Sequence, residues 1–167
     1  AMIFESIKYL KNYFSEVIFD GEHFFDGYQQ NASYALDTLK AAEEAGADFL
    51  VLCDTNGGFL HKKALEVVQA AAKEVNAPLG VHFHNDSGCA VANSVYAIEM
   101  VDQVRMVQGT INGYGERCGN ADLCQIIPSL EIKLGKQCLK DGNLKHITSL
   151  SRFVSEIANQ THNSHQP

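Results

Sequence analysis

The sequence predicts an α/β fold in which four parallel strands alternate with helices. Four short apolar runs have the length of buried strands: Glu16–Phe19, Phe49–Cys53, Leu79–His82 and Gln103–Val107. Their starts lie roughly 25 to 33 residues apart, which is the length of one βα repeat. Because a connection of that length carries a helix back across the sheet, each strand is expected to run parallel to the one before it.

Segments with helical periodicity connect and flank these strands, with apolar residues recurring every three or four positions. The predicted helices are Phe4–Tyr13, Asn31–Ala45, Lys62–Val75, Ser87–Met100, Asn120–Leu134 and Lys145–Ala158. Gly46 and Gly135 directly follow two of these ranges, and glycine commonly ends a helix at that position because it accepts positive φ. The predicted elements therefore follow one another as successive βα units, with a further helix at each end of the chain.

Polar side chains follow every predicted strand. They are Asp20, Glu22 and His23; Asp54, Thr55 and Asn56; His82, His84, Asn85 and Asp86; and Gln108, Thr110, Asn112, Glu116 and Asn120. In a TIM barrel all strands end at one mouth, whereas an open doubly wound sheet concentrates its ligands at one switch point. A barrel uses eight βα units, and this chain of 167 residues has four. We therefore predict a partial TIM barrel as a single domain over residues 1–167, with a small open doubly wound sheet as the alternative.

The amino-acid composition indicates which binding partners and which cellular compartment to expect. Against 20 acidic residues stand 13 basic ones, a net charge of −7, which argues against nucleic acid or an anionic membrane surface as the main partner. No apolar run approaches the ~20 residues that cross a bilayer, and we expect no signal peptide. The 5 cysteines are odd in number and form no Cys-x-x-Cys pair. Reduced thiols in a cytoplasmic protein fit this pattern better than a disulfide framework.

The pair His82 and His84 predicts a metal site. Residues two apart on a strand project from the same face, about 7 Å apart along the chain, so both imidazoles can reach one cation. A single histidine would more simply be a buried or capping residue, but this pair stands at a strand end before Asn85-Asp86. Imidazole suits zinc, and added carboxylate or amide oxygens extend the choice to Mg²⁺ or Mn²⁺. Further ligands must come from elsewhere in the chain.

The segment Cys53–Gly58 is a candidate for substrate binding. The Thr55 hydroxyl and nearby backbone N–H groups could hold a carboxylate, although Asp, Asn and paired glycines also make an ordinary polar turn. The glycine-rich segment Gly109–Asn120 fits neither the P-loop nor the dinucleotide-binding pattern. Its charges Glu116 and Arg117 could form only a weak surface pair. Their position after the fourth strand favours an active-site loop instead.

Three motifs together resemble the acyl-CoA-condensing family of isopropylmalate, homocitrate and citramalate synthases, which are metal-dependent TIM barrels related to hydroxymethylglutaryl-CoA lyase. The motifs are Asp54–Gly58, His82-x-His84-Asn85-Asp86-x-Gly88 and Gly115-Glu116-Arg117-x-Gly119-Asn120. Longer stretches over Glu22–Tyr28 and Gln108–Asn120 are most similar to the (R)-citramalate synthase branch. The resemblance covers nearly the whole chain and corresponds to strands five to eight, the C-terminal half of the barrel.

The resemblance implies that acetyl-CoA condenses with an α-keto acid, here pyruvate, in branched-chain amino-acid biosynthesis leading to isoleucine or leucine. The cofactor would be a divalent metal ion: Mg²⁺, Mn²⁺ or Zn²⁺. By resemblance, the metal ligands are His82, His84 and Asn120, with Asn120 the weaker one. The substrate-binding residues are Thr55, Asp54 and Asn85, and the catalytic residues are Glu116 and Glu22. The two glutamates would lie near the metal and the acetyl group, in orienting or acid–base roles.

The chain departs from this family in one large respect. Family members begin with a strand carrying an Asp-x-x-x-Arg-Asp motif that binds metal and keto acid, and no such motif occurs here. We therefore expect little or no synthase activity from this chain alone, and self-association through the open edges of a half-barrel. Two other functions stay open. One is a lyase that runs the reverse cleavage, disfavoured because Cys118 lies within a Gly-Glu-Arg motif; the other is a non-catalytic metal-binding half-barrel.

Overall fold

The computed structural model describes residues 2–163, 165 and 166, and its four strands form one parallel sheet. The strands are β1 (Ile18–Gly21), β2 (Phe49–Asp54), β3 (Leu79–Phe83) and β4 (Val104–Gln108). Their order in the sheet is the order in the sequence. This is the arrangement of consecutive TIM-barrel strands, without the order reversal of a doubly wound sheet in the described part of the chain. The predicted α/β class with four parallel strands is confirmed.

Helices cover and flank this sheet. They are α1 (Met2–Leu10), α2 (Phe24–Gln30), α3 (Ala32–Glu44), α4 (His61–Glu74), α5 (Ala90–Met100), α6 (Leu123–Pro128) and α7 (Ile147–Ile157). A π-helical turn continues α6, and short 3₁₀ turns follow β4 and precede α7. Within the described residues, no helix has both the length and the apolar content that crossing a bilayer would demand. The single domain predicted for residues 1–167 stays a prediction, and Ala1, Ser164 and Pro167 lie outside the described residues.

One face of the sheet packs against the helices and forms the core. The fully buried strand residues on this face are Leu50, Leu52, Leu79, Val81 and Phe83. They alternate along β2 and β3 as expected for strands covered on one face by helices. Phe83 meets Phe25 of α2 with ring centroids 5.1 Å apart. Each such side chain contributes roughly 1.5–3 kcal/mol by leaving water, so this face holds β3 firmly against α2.

The opposite face carries the polar side chains that form the site. The register places Cys53 of β2 beside His82 of β3, and His82 beside Gln108 of β4, so these residues share a face. Asp20 of β1 pairs with Val51, two residues from Cys53, and therefore projects from the same face. Three strand spacings would separate β1 from β4 by about 14 Å in a flat sheet. The Gln108 amide nevertheless lies 2.9 Å from the Asp20 carboxylate, so the sheet curls toward this face like a barrel wall.

Most ends of the predicted elements lie within three residues of the observed ones, and two of the differences have a clear physical reason. The helix predicted from Asn120 begins at Leu123, because Asn120 bridges His84 and the Ala121 amide donates to the Phe83 carbonyl at 3.1 Å. Asp122 caps the shortened helix by accepting from the Cys124 amide at 2.8 Å. Helix α2 has no predicted counterpart, because its two turns are too short to display a helical period.

Candidate active site

His82 and His84 stand together at the carboxyl end of β3. Their ring centroids are 5.2 Å apart and the ring planes differ by 27°, so both side chains project the same way, as the two-residue spacing predicts. Asn120 joins them because its backbone forms an isolated antiparallel bridge with His84. Its side-chain amide lies 3.0 Å from Nε2 of His82. The three side chains predicted to bind metal are thus brought together, and their role as ligands stays a prediction.

The glycine-rich loop after β4 holds Asn120 in this place. The Asn120 amide donates to the Gly113 carbonyl at 2.9 Å. A Cβ at Gly115 would overlap the side-chain oxygen of Asn120, and a Cβ at Gly119 would overlap the Gly113 carbonyl. The loop therefore closes on itself only because glycine occupies both positions. Asn120 is almost fully buried as a result.

The donor groups present fit a divalent ion. The Nδ1 atom of His84 is buried and has no hydrogen-bond partner among the described residues. Burial lowers the pKa of His84, and the neighbouring His82 and Arg117 act in the same direction. A neutral imidazole has the lone pair that a metal ligand needs. Within the described ranges no three His, Cys, Asp or Glu side chains form a metal-binding group. Asn120 adds an amide group beside His82.

Thr55 and Glu22 meet although they follow different strands. The Thr55 hydroxyl donates to the Glu22 carboxylate at 2.7 Å and accepts from the His23 amide at 2.8 Å. His23 has a positive φ of 55°, which turns the chain sharply before α2. The Thr55 hydroxyl therefore already donates its one hydrogen bond to Glu22. It could donate to a substrate carboxylate only if Glu22 moved away.

Arg117 joins the loops after β2, β3 and β4. Its guanidinium binds Asp86 through two hydrogen bonds of 2.8 and 2.9 Å and donates to the Thr55 carbonyl at 2.6 Å. The two bonds from Arg117 hold the pKa of Asp86 below its ordinary value. Glu116 lies 3.5 Å from the same guanidinium, but 72% of its side chain is exposed. The predicted catalytic carboxylate of Glu116 therefore faces solvent beside Arg117.

Asp54 and Asn85 hold backbone at the site. The buried Asp54 carboxylate accepts from the amides of Phe59 and Gly58 at 3.0 and 3.3 Å. Burial raises the pKa of Asp54, while those amide contacts lower it. The Asn85 side chain accepts from the Ala90 amide at 3.2 Å, at the start of α5. Their predicted contact with substrate stays a prediction.

A cleft of about 430 Å³ is lined by Asn85 and Asn120, together with Tyr114 and Cys118, while His82 and His84 are not among its lining residues. This volume lies within the range of small-molecule sites. The cleft gives Asn85 access to a ligand that binds near Asn120.

Sequence reasoning named Asp20 and Gln108 only as polar residues at strand ends. The structure places Gln108 between Asp20 and His82, 2.9 Å from the Asp20 carboxylate and 2.8 Å from Nδ1 of His82. His82 and Gln108 are paired in the register of β3 and β4. This contact could have been predicted only if the strand pairing had been known. The Asp86–Arg117 pair was missed for the same reason, because 31 residues separate its members.

Residues 1–154 match the HMGL-like family along most of the chain. The chain belongs to this family. The predicted family-level resemblance is thereby confirmed, and the relatives below show the expected similarity to citramalate and isopropylmalate synthases.

This HMGL-like chain is 53% identical over 165 residues to the (R)-citramalate synthase of Geobacter sulfurreducens, covering 99% of this chain and 31% of that protein. It is 49% identical to the (R)-citramalate synthase of Synechocystis sp., covering all of this chain and 32% of that protein. The 2-isopropylmalate synthase of Methanocaldococcus jannaschii is 36% identical over 154 residues, or 92% of this chain and 29% of that protein. The HMGL-like chain thus spans about a third of the length of these relatives.

Solved structures share the fold of this HMGL-like chain. The HMG-CoA lyase of Bacillus subtilis superposes with a TM-score of 0.68 at 24% identity, over 80% of this chain and 45% of that one. The carboxyl transferase domain of Rhizobium etli pyruvate carboxylase, solved with pyruvate and biocytin, gives a TM-score of 0.64 at 22% identity over 77% of this chain and 21% of that one. At these identities the likeness shows the fold alone. It agrees with a partial TIM barrel made of four parallel strands and their helices.

Proposed function

We propose that this chain forms part of the catalytic barrel of a divalent-metal-dependent acyltransferase that condenses acetyl-CoA with an α-keto acid. The observation that carries the proposal is the cluster of His82, His84 and Asn120 at the carboxyl end of β3. Similarity to (R)-citramalate synthases makes pyruvate the proposed keto acid and citramalate the product. We further propose a cytoplasmic enzyme of branched-chain amino-acid biosynthesis, in line with the same resemblance.

The metal would be held by imidazole nitrogens of His82 and His84 and by the amide oxygen of Asn120. The Asn120 amide would have to turn over for this, because in the metal-free chain its nitrogen faces Nε2 of His82 at 3.0 Å. This mixed donor set accepts Mg²⁺, Mn²⁺ or Zn²⁺. When bound, the ion would polarise the keto carbonyl of the substrate as a Lewis acid. The buried Nδ1 of His84 supports the proposal, because it has no hydrogen-bond partner among the described residues and such a nitrogen is costly unless something binds it.

The protein residues would supply the proton transfers of the condensation. A carboxylate removes a proton from the acetyl methyl group, and the resulting carbanion forms a C–C bond with the keto carbon, whose oxygen takes up a proton. Water then cleaves the thioester and releases the thiol of coenzyme A. Glu22 and Glu116 are the carboxylates proposed for the first step. Glu22 is held by Thr55, so its release would free the Thr55 hydroxyl for the substrate carboxylate in the same motion.

A chimeric synthase tests this function at the level of a full-length relative. The matching segment of the Geobacter sulfurreducens enzyme is replaced by this chain, and citramalate formation from pyruvate and acetyl-CoA is measured. We expect activity in the chimera and a fall of at least about 100-fold when it carries His84→Ala, since ligand removal impairs metal activation. His146→Ala, an exposed histidine, is the matched control and should leave the rate unchanged.

A folded chimera without citramalate formation, or one that His84→Ala leaves fully active, would contradict the proposal. Cleavage of hydroxymethylglutaryl-CoA in its place would assign the lyase function. Binding of metal without any metal-dependent binding of pyruvate would favour the non-catalytic module. The chain by itself is expected to turn over little or no substrate, as predicted from the missing Asp-x-x-x-Arg-Asp motif.

Self-association is proposed for the chain in isolation. β1 and β4 each have a hydrogen-bonded neighbour on one side only in the described sheet, and Ile18 of β1 is 39% exposed. Unpaired strand edges readily pair with another chain. We expect the sedimentation coefficient to rise with protein concentration. A strictly monomeric profile at high concentration would rule out this homo-oligomer.

A further inference from the structure

We propose that Asp20 and Gln108 are positioning residues that hold His82 as the tautomer protonated at Nδ1. In this state the lone pair of Nε2 faces Asn120. The consequence for metal binding rests on the proposed function, but the tautomer itself is a property of the free chain. The assignment follows from a chain of three hydrogen bonds that runs from β1 through β4 to β3.

The first hydrogen bond fixes the orientation of the Gln108 amide. Its nitrogen lies 2.9 Å from Oδ1 of Asp20. A carboxylate only accepts hydrogen bonds, so the group facing Asp20 must be the NH₂ of Gln108. The amide oxygen of Gln108 is thereby directed toward the ring of His82.

The second hydrogen bond fixes the tautomer. The Gln108 oxygen lies 2.8 Å from Nδ1 of His82, and an amide oxygen only accepts. Nδ1 must therefore carry the proton, and a neutral imidazole carries only one. Nε2 is left with its lone pair, which matches the third hydrogen bond, donated by the Asn120 amide nitrogen at 3.0 Å. With this tautomer, each of the three hydrogen bonds joins one donor to one acceptor.

The position of the two residues explains how they reach His82. Asp20 and Gln108 lie on the two edge strands of the sheet, on the face that also carries His82. They meet only because the sheet curls. The curvature of the barrel wall is thus coupled to the protonation site of the ring. Hydrogen bonds of this kind orient metal-binding histidines and typically change metal affinity by about 10- to 100-fold.

Nitrogen NMR of the metal-free chain at about pH 8, above the usual imidazole pKa, tests the tautomer directly. Long-range proton–nitrogen correlations distinguish a protonated Nδ1 from a protonated Nε2, and the His82 signals are identified by their loss in His82→Gln. We expect the Nδ1–H form in the unmodified chain. Asp20→Asn is nearly isosteric but can donate to the Gln108 oxygen, so the glutamine amide can turn over. This variant is expected to show a mixture of both tautomers.

Gln108→Met removes both amide groups at similar length, and it should also abolish the preference for Nδ1–H and weaken Mn²⁺ binding about 10-fold by calorimetry. Gln30→Met, the same change at an exposed residue of α2, should alter neither readout. An Nε2–H form in the unmodified chain, or an unchanged tautomer in a folded Asp20→Asn variant, would overturn the proposal. Absence of Mn²⁺ binding by the unmodified chain would instead count against the proposed function, while the NMR result stands on its own.

Discussion

Replacing Gly119 by alanine is expected to destabilise the protein by about 3 kcal/mol and to weaken metal binding. Gly119 has a φ of +93°, a conformation that costs a non-glycine residue about 1–3 kcal/mol. An added Cβ would also overlap the Gly113 carbonyl, and such overpacking costs a similar amount. The same carbonyl of Gly113 accepts from the Asn120 amide, so relief of the overlap must shift Asn120 relative to His82.

Gly46→Ala separates the two causes. Gly46 has nearly the same φ of +94°, but a Cβ there would meet nothing within 4 Å. Its substitution should cost only the backbone strain, about 1 kcal/mol, as measured by urea denaturation. Calorimetric titration with Mn²⁺ should show weaker binding for Gly119→Ala alone. Equal stability losses and equal affinities in the two variants would show that the loop tolerates the side chain.

Replacing Phe83 by alanine is expected to cost about 3–5 kcal/mol of stability, since the substitution removes a fully buried aromatic ring. The ring packs against Phe25 of α2, and the residue lies between the two histidines of the site. Its carbonyl also accepts from the Ala121 amide, so loosening of β3 would reach the loop that carries Asn120. A loss of this size is a large share of the 5–15 kcal/mol that holds an ordinary domain together.

Phe153→Ala is the matched control, because this phenylalanine on α7 is 58% exposed. Its removal should change the free energy of unfolding by less than about 1 kcal/mol. Phe83→Leu refills most of the cavity and should recover part of the loss. Urea denaturation followed by circular dichroism gives all three values. A Phe83→Ala variant as stable as Phe153→Ala would mean that β3 is not anchored through this ring.

The strands and helices were largely predictable, because their signals are local. Leu50 and Leu52 alternate with residues of the opposite face within one short strand, and Leu39 and Ala42 recur at helical spacing in α3. Helix α6 was extended too far, because Asn120 to Leu134 has a helical pattern that says nothing about the bridge to His84. At the N-terminal end of this segment the tertiary contact, and not the local periodicity, determines the backbone conformation.

The site also contains some features that local spacing predicts and others that it does not. His82 and His84 were predictable as a pair from their spacing, whereas Asn120 entered through the resemblance to a family. No spacing rule links residues that are 36 or 38 positions apart, since the loop between them can take many paths. The same holds for Thr55 and Glu22, which meet across neighbouring strand ends 33 residues apart. Such contacts depend on the strand register, which the sequence leaves open.

By itself, the sequence determined the order of βα units, the direction of the two imidazoles and the polar character of the strand ends. These follow from the periods of two and 3.6 residues, which act over a few neighbours. Only the tertiary structure decided that Asp20 reaches Gln108, that Gln108 contacts Nδ1 of His82, and that Arg117 binds Asp86. The physical reason is that these contacts need the curl of a four-stranded sheet. Curvature arises from all strands and helices packing together, and no single segment contains it.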